Sequence, residues 1–169
     1  MILRAGFLLV ALAATPAAAQ ESGWHFSPYP GEGDRAALGC SYASTPAHHV
    51  CIAVRCEDDF STALHIDTTR LGGDAGRWSL TIDREHPIAV TAVAVDGSPY
   101  GAKIEGDVAP IIEAIRNGNS FFLDPLDEGP VPDRGIGLTG SLDAINRALY
   151  YCAPRVTPQA ENKETDNDG

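Results

Sequence analysis

The sequence predicts an α+β fold, an antiparallel sheet or sandwich of short strands with two helices, stapled by two disulfides. Three observations predict it: short segments of alternating polarity, two amphipathic helical stretches, and four cysteines. The clearest strand covers residues 49–56, because apolar side chains recur there at every second position. One face of this strand carries Val50, Ile52, Val54 and Cys56, and the other carries Cys51, Ala53 and Arg55.

Other short segments have the same composition and predict further strands. They cover residues 24–26, 63–67, 77–83, 88–95, 100–104, 120–123 and 135–139. The dipeptide Asp96-Gly97 is a turn signal between two of them. Apart from 24–26, the segment 23–46 is rich in Gly, Pro and Ser, so no other strand is expected in it.

The first helix is predicted after residue 107. Asp107 is its expected cap, Pro110 lies in its first turn, and Asn117-Gly118 ends it. The second helix is expected to begin with Ser141 as its cap and to stop before Pro154. Each helix has an apolar stripe: Ile111, Ile112 and Ile115 in the first, and Leu142, Ile145, Leu149 and Cys152 in the second.

The chain is expected to contain one domain between two terminal segments. Residues 1–19 have the layout of a signal peptide, with a basic start, an apolar run and small residues before Gln20. The apolar run is shorter than the ~18 residues that a spanning helix needs, so the mature chain is expected to be soluble, without membrane insertion. Residues 20–156 are assigned to a single α+β domain, and the polar residues 157–169 to a disordered acidic tail. The expected location is periplasmic or secreted.

The formal net charge of −11 limits the classes of partner. Nucleic acids and anionic membranes are bound by clustered Lys and Arg, and the basic residues here are scattered. The charge therefore excludes both classes and is typical of a well-solvated exported protein.

The four cysteines are expected to form two disulfides, because an exported chain meets an oxidising compartment. Cys51 and Cys56 cannot pair on a continuous strand, since five residues span about 16 Å. Cys56 shares the predicted core face of its strand, and Cys152 shares the apolar face of the last helix. We therefore predict Cys56–Cys152 and Cys40–Cys51; a bulge between residues 51 and 56 would undo this argument.

Two other groups of residues are candidates for metal binding or acid–base chemistry, and each also has a structural interpretation. His48 and His49 with Cys51, and His65 or His86 as further ligands, are a candidate metal cluster, but their spacing fits no structural zinc pattern. The run Glu57-Asp58-Asp59, with Asp67, Asp83 and Glu85, is a candidate for acid–base work or calcium binding. A charged run after a strand is more often a solvated turn, and Trp24 and Trp78 are more often core residues than a binding surface.

No catalytic motif accompanies these residues. The sequence has no Gly-x-Ser-x-Gly elbow, no Cys-x-x-Cys pair and no phosphate-binding glycine loop followed by Lys. We expect no catalytic residues, no metal site and no cofactor.

Three segments carry a resemblance to a known kind of protein. They are the strand 50–56, the helix end IIEAIRNG at 111–118, and the segment GLTGSLDAI at 137–145, whose helix leads to Cys152. In them the chain resembles small exported bacterial proteins of the invasion-associated locus B kind, and it is similar to periplasmic proteins associated with type VI secretion. The resemblance implies a non-enzymatic protein of the bacterial envelope, and it transfers no functional residue.

The sequence therefore predicts an exported, non-enzymatic binding protein whose partner is another envelope protein. The alternative is a small periplasmic metal-binding protein or enzyme that uses His48, His49 and nearby carboxylates.

Overall fold

The computed structural model describes residues 22–29, 31, 33, 35–127, 131 and 134–153, which form an antiparallel sheet and two α-helices. The predicted signal peptide 1–19 and tail 157–169 lie outside the described residues. The strands are β1 Gly23–Phe26, β2 Ala36–Cys40, β3 Val50–Cys56, β4 Thr62–Thr68, β5 Gly76–Ile82, β6 Ile88–Val93, β7 Ala102–Ile104, β8 Ser120–Pro125 and β9 Gly135–Gly137. The helices are α1 Ala109–Asn117 and α2 Ser141–Leu149, and a 3₁₀ turn follows at Tyr150–Cys152.

The strands form one continuous sheet in the order β1-β2-β3-β4-β7-β6-β5-β8-β9, so the predicted sheet is present as a single layer of strands. Neighbouring strands are antiparallel throughout. The sheet is strongly curved, because its first and last strands meet: Trp24 Nε1 on β1 donates a hydrogen bond of 2.9 Å to the carbonyl oxygen of Gly137 on β9.

The main core lies between the inner face of the sheet and the two helices. The predicted core residues of β3, Val50, Ile52 and Val54, are buried there together with the isoleucines of α1. Helix α2 crosses β1, β2 and β3 and also contacts α1. No helix within the described residues is long and apolar enough to cross a membrane.

Every strand predicted from alternation is present, with ends that differ by a few residues, but β2 is not predicted. Its five residues, Ala-Ala-Leu-Gly-Cys, are all buried. A strand that is buried on both faces shows no alternation, and here it also lies within a segment whose Gly and Pro content favours loops.

Helix α1 lies where the sequence predicts it, but its cap differs. Val108, rather than Asp107, is the cap residue, and its side chain makes no capping hydrogen bond. Asp107 stands one residue earlier, where its carboxylate accepts a hydrogen bond of 3.0 Å from the N–H of Ala109, the first helical residue. Pro110 lies in the first turn, the three isoleucines are buried, and the helix ends at Asn117.

Helix α2 corrects two predictions. Ser141 is its first helical residue rather than its cap, and the Ser141 hydroxyl donates to the carbonyl oxygen of Ile115 at 2.9 Å, joining the two helices. Leu142 was expected on the buried face but is 48% exposed. The helix packs closely against three strands, so its buried face combines one large residue, Ile145, with the small residues Ser141, Ala144 and Ala148.

The structure contains the disulfides Cys40–Cys51 and Cys56–Cys152, the two pairs that strand parity and helix periodicity indicate. Cys40 and Cys51 are directly opposite on β2 and β3, with Cα atoms 4.1 Å apart. Cys152 reaches Cys56 from the 3₁₀ turn, with a Cα–Cα distance of 5.6 Å. The first disulfide joins two strands, and the second ties the C-terminal turn to the end of β3.

The outer face of the sheet is divided into two parts. Over β2, β3 and β4 it is buried beneath Tyr100 and Tyr29, whose rings meet edge to face with centroids 5.1 Å apart. We call this the covered half. Over β5, β6 and β8 the outward side chains are partly or fully exposed, and we call this the open half; they include Ser79, Thr81, Ala89, Thr91 and Phe122.

Gly101 allows the loop before β7 to bring Tyr100 onto the covered half. Its φ is +71°, and a Cβ atom at this position would lie 2.2 Å from the carbonyl oxygen of Ile66. Only glycine combines this backbone conformation with so close an approach.

Candidate functional site

A polar cleft of about 330 Å³ lies at the edge of the covered half. Its floor is formed by side chains of β3, β4 and β7 and of the residue after β3, and its wall by the loop between β6 and β7. The charged, imidazole and hydroxyl side chains that line this cleft are Arg55, Glu57, Asp58, His65, Asp96, Ser98 and Lys103.

The hairpin of β3 and β4 brings Glu57 and His65 together. His65 lies opposite Ala53 on the outer face, and Glu57 continues the same face just beyond the end of β3. The distance between His65 Nε2 and Glu57 Oε1 is 3.0 Å. Two residues eight positions apart therefore meet because the hairpin folds the chain back on itself.

Two cations approach the same carboxylate. Arg55 Nε lies 3.7 Å from Glu57 Oε2, and Lys103 Nζ lies 3.9 Å from Glu57 Oε1. Lys103 reaches this position because it is paired with His65 across the contact of β4 and β7. The Glu57 side chain is 21% exposed, so its negative charge is compensated largely by protein groups.

His65 is buried, and burial disfavours the charged form of its imidazole. Burial lowers the pKa of the imidazole, and the hydrogen bond to Glu57 offsets only part of this effect. The Nε2 proton then points to Glu57, while Nδ1 is buried and has no hydrogen-bond partner among the described residues. A proton on Nδ1 would be a buried donor without an acceptor, which is a further physical reason for the neutral form.

A general base must have a nitrogen that can reach the proton of a substrate. In His65, Nε2 is occupied by the carboxylate, and Nδ1 is enclosed by protein. This arrangement is suited to holding β3, β4 and the residue after β3 together, and it does not present a basic nitrogen to the cleft.

His49 forms a second histidine–carboxylate pair on the same face. Its Nε2 lies 3.2 Å from Asp67 Oδ1, and both side chains are nearly buried. Asp67 is two residues from His65 along β4 and lies opposite Cys51. His49 and Asp67, both candidates from the sequence, therefore contact each other, but they form a separate pair from Glu57 and His65.

The remaining candidates for metal binding or acid–base chemistry are dispersed. Cys51 is in a disulfide, and four candidates are exposed: His48, His86, Asp58 and Glu85. Where the chain is described, no three residues among His, Cys, Asp and Glu come together as metal ligands.

Asp83 has a structural contact instead. Its Oδ1 accepts hydrogen bonds of 2.8 Å from the backbone N–H groups of Asn119 and Ser120, and these bonds lower the pKa of its carboxyl group.

The two tryptophans belong to the interior, as predicted. Trp78 is fully buried, and its Nε1 donates a hydrogen bond of 2.8 Å to the carbonyl oxygen of Asp74. Trp24 is partly buried against the main core.

A second surface feature lies at the tip of the β3–β4 hairpin. Phe60 is 61% exposed and has a φ of +63°. Two further exposed aromatic residues, Tyr150 and Tyr151, precede Cys152, and the Cys152 Sγ lies 3.2 Å from the carbonyl oxygen of Ser61. Phe60 and Tyr151 are each one residue from this contact. We call Phe60, Tyr150 and Tyr151 the aromatic patch.

Sequence reasoning missed both the Glu57–His65 pair and the aromatic patch. The hairpin signal was available, because residues 55, 57, 63 and 65 fall on one face when 57–61 is taken as the turn. Lys103 and the loop of the cleft wall could not be placed, since they depend on which strand lies next to β4. One local feature of the sequence could have pointed to Phe60, because the turn predicted there contains no glycine.

No family model matches the chain, and no curated protein matches it. Among solved structures it is similar to the crystal structure of invasion associated protein B from Bartonella henselae, with a TM-score of 0.38 and 18% identity. The match covers 69% of this chain and 92% of that chain. The likeness is weak.

Proposed function

We propose that this protein is an exported binding protein of the bacterial envelope, that it performs no catalysis, and that its partner is another envelope protein. The observation that carries the proposal is the state of the reactive side chains. The cysteines are joined in disulfides, and His65 has one nitrogen bound to Glu57 and the other enclosed. What the described surface offers instead is exposed apolar area at the hairpin tip.

Two features support an exported location. Disulfides form and persist in oxidising compartments, and two are present here. Residues 1–19 have the composition of a signal peptide. An oxidising location outside the cytoplasm accounts for both features.

The contacts within the cleft support the part of the proposal that excludes catalysis. Glu57 contacts His65, Arg55 and Lys103, so the groups that would activate a substrate are engaged with one another. The pairs hold β3, β4 and β7 in register beneath the tyrosines, and this is a structural role.

Export is tested by producing the full chain in a Gram-negative bacterium and mapping disulfides in each cell fraction without reduction. We expect a periplasmic product that begins at Gln20 and contains Cys40–Cys51 and Cys56–Cys152. A cytoplasmic product with four free thiols would contradict the proposal.

Binding without catalysis is tested by photo-cross-linking in the periplasm, with a benzophenone amino acid at exposed positions. A defined adduct is expected, and the His65→Gln variant is expected to retain it. Glutamine can still donate a hydrogen bond to Glu57 but cannot act as a base. An adduct that is lost in His65→Gln, in a protein with unchanged folding, would show that the His65 imidazole takes part in the function and would contradict the structural role assigned to it here.

A further inference from the structure

We propose that the aromatic patch binds a basic, partly apolar segment of a partner protein. This inference rests on the proposed binding function and names the surface and the chemistry of the partner. Four observations carry it: the backbone of Phe60, its exposure, the way the patch is fixed, and the charge beside it.

The turn between β3 and β4 favours glycine where Phe60 stands. The Phe60 N–H donates to the Glu57 carbonyl oxygen at 3.0 Å, and the Glu57 N–H donates to the Ser61 carbonyl oxygen at 2.9 Å. This is the pattern of a turn closed by a bulge, whose last residue adopts left-handed backbone geometry and is normally glycine. Phe60 adopts that geometry, with a φ of +63°.

Folding buries little of the Phe60 side chain. The side chain is 61% exposed, and a bulky residue in the left-handed region is strained. Residues held in strained backbone conformations cluster at active sites, ligand clamps and switch regions, so the positive φ of Phe60 indicates a functional position. Leu71 is more exposed, at 93%, but shows no positive φ, so exposure alone does not distinguish Phe60.

The patch is held in place before any partner binds. Asp59 Oδ1 accepts hydrogen bonds from the Ser61 N–H at 2.9 Å and from the Ser61 hydroxyl at 2.6 Å. The Cys56–Cys152 disulfide joins the segment of the two tyrosines to the same end of the hairpin. Tyr150 and Tyr151 meet edge to face, with ring centroids 5.4 Å apart. A surface that is ordered in advance loses less conformational entropy on binding.

The charge beside the patch selects the class of partner. Asp58 and Asp59 directly precede Phe60 and are exposed; Asp58 Oδ1 lies 2.8 Å from Arg35 Nη1, yet its side chain remains 92% exposed. Carboxylates beside aromatic faces favour Lys and Arg, which make ion pairs and cation–π contacts. The chain has a net charge of −11, so a second copy or an anionic membrane would be repelled.

The test uses the mature protein with both disulfides verified, and fluorescence anisotropy of a labelled peptide that alternates Lys with Leu. We expect saturable binding that Phe60→Gly weakens about fivefold or more. This variant keeps every charge and places glycine where the backbone favours it, so it is expected to fold. Tyr150→Ala is expected to weaken binding as well.

Two controls make the result decisive. Leu71→Ala removes an equally apolar and more exposed side chain outside the patch and should leave the affinity unchanged. A peptide that alternates Glu with Leu should not bind. The proposal is overturned if Phe60→Gly binds the basic peptide as tightly as the original protein, or if the acidic peptide binds equally well.

Failure of this surface and failure of the binding function can be distinguished. In the periplasmic cross-linking experiment, an adduct formed from position 122 but not from position 60 would refute the aromatic patch and leave the binding function in place. The absence of adducts from every exposed position would refute the binding function itself.

Discussion

The two halves of the outer sheet face differ in how they reach stability. In the covered half, Leu38 and Ala53 are almost fully buried beneath Tyr100, and the strands below are largely buried on both faces. In the open half, Trp78 and Leu80 are buried on the inner face, while Ser79 and Thr81 between them face outwards. In the covered half both faces of the sheet are buried, whereas in the open half the inner face is buried and the outer face is exposed to solvent.

The comparison shows where the reactive residues belong. The covered half contains the Cys40–Cys51 disulfide and both histidine–carboxylate pairs, and the open half contains none of these. The candidates that pair with one another therefore lie in the covered half, whereas Asp83, Glu85 and His86 lie in the turn between β5 and β6 of the open half.

The largest expected effect comes from the link between the C-terminal turn and the covered half. Removing Cys56–Cys152 by a double substitution to Ala is expected to lower the free energy of unfolding by about 4.7 kcal/mol, because this disulfide closes a long loop of 96 residues. Removing Cys40–Cys51, which spans 11 residues, is expected to cost about 2.8 kcal/mol. Urea denaturation of the three proteins measures both values. A larger loss for Cys40–Cys51 would show that packing within the covered half outweighs loop entropy.

The second prediction compares one aromatic residue from each half. Tyr100→Ala is expected to cost about 4 kcal/mol, since it removes a fully buried ring and uncovers Leu38 and Ala53. Phe122→Ala on the open half is expected to cost less, about 1–2 kcal/mol, because the residue is 36% exposed and its removal leaves no enclosed cavity. Chemical denaturation measures both. Equal losses in the free energy of unfolding would mean that aromatic residues of the covered half and of the open half stabilise the fold to the same extent.

Much of this architecture can be predicted from the sequence, and the part that cannot be predicted has a physical cause. All three strands of the open half are predicted, whereas in the covered half β3 and β4 are predicted and β2 is not. Strand β2 is missed because burial on both faces removes its alternation. The two disulfides follow from parity because β3 contains no bulge between Cys51 and Cys56.

The candidate site is predicted only in part. The sequence indicates His49, Asp67, Glu57 and His65 as candidates but not which of them meet, since each pairing depends on hairpin register. The prediction that Leu142 faces the core is wrong. Helical periodicity places this large apolar residue on the buried stripe, whereas α2 packs closely through Ala144 and Ala148.

The third prediction concerns pH and the buried imidazole of the covered half. The folded-state pKa of His65 is lowered, so below about pH 6.5 the unfolded chain binds a proton that the folded chain does not. The free energy of unfolding should therefore fall as the pH falls below about 6.5, by at most about 1.4 kcal/mol per pH unit.

His65→Gln provides the control for the pH experiment. It removes the titrating group and keeps a donor for Glu57, so the dependence of the unfolding free energy on pH near 6 should flatten. Urea denaturation at several pH values between about 5.5 and 7.5 measures this. An unchanged slope in the variant would show that another group produces the pH dependence.

The smallest expected effect is a gain in stability at the hairpin tip, where the covered half ends. Phe60→Gly relieves a positive φ of +63° and removes a ring that is mostly exposed, so it should raise the free energy of unfolding by about 0.5–1 kcal/mol. Thermal denaturation compares this variant with Leu71→Ala, which should change stability by less than about 0.5 kcal/mol. A clear loss of stability in Phe60→Gly would mean that the ring supports the folded hairpin, and the argument that its strain serves a partner would fail. A gain in stability together with weaker binding of the basic peptide would separate the two roles, because the same substitution would improve the fold and impair the contact.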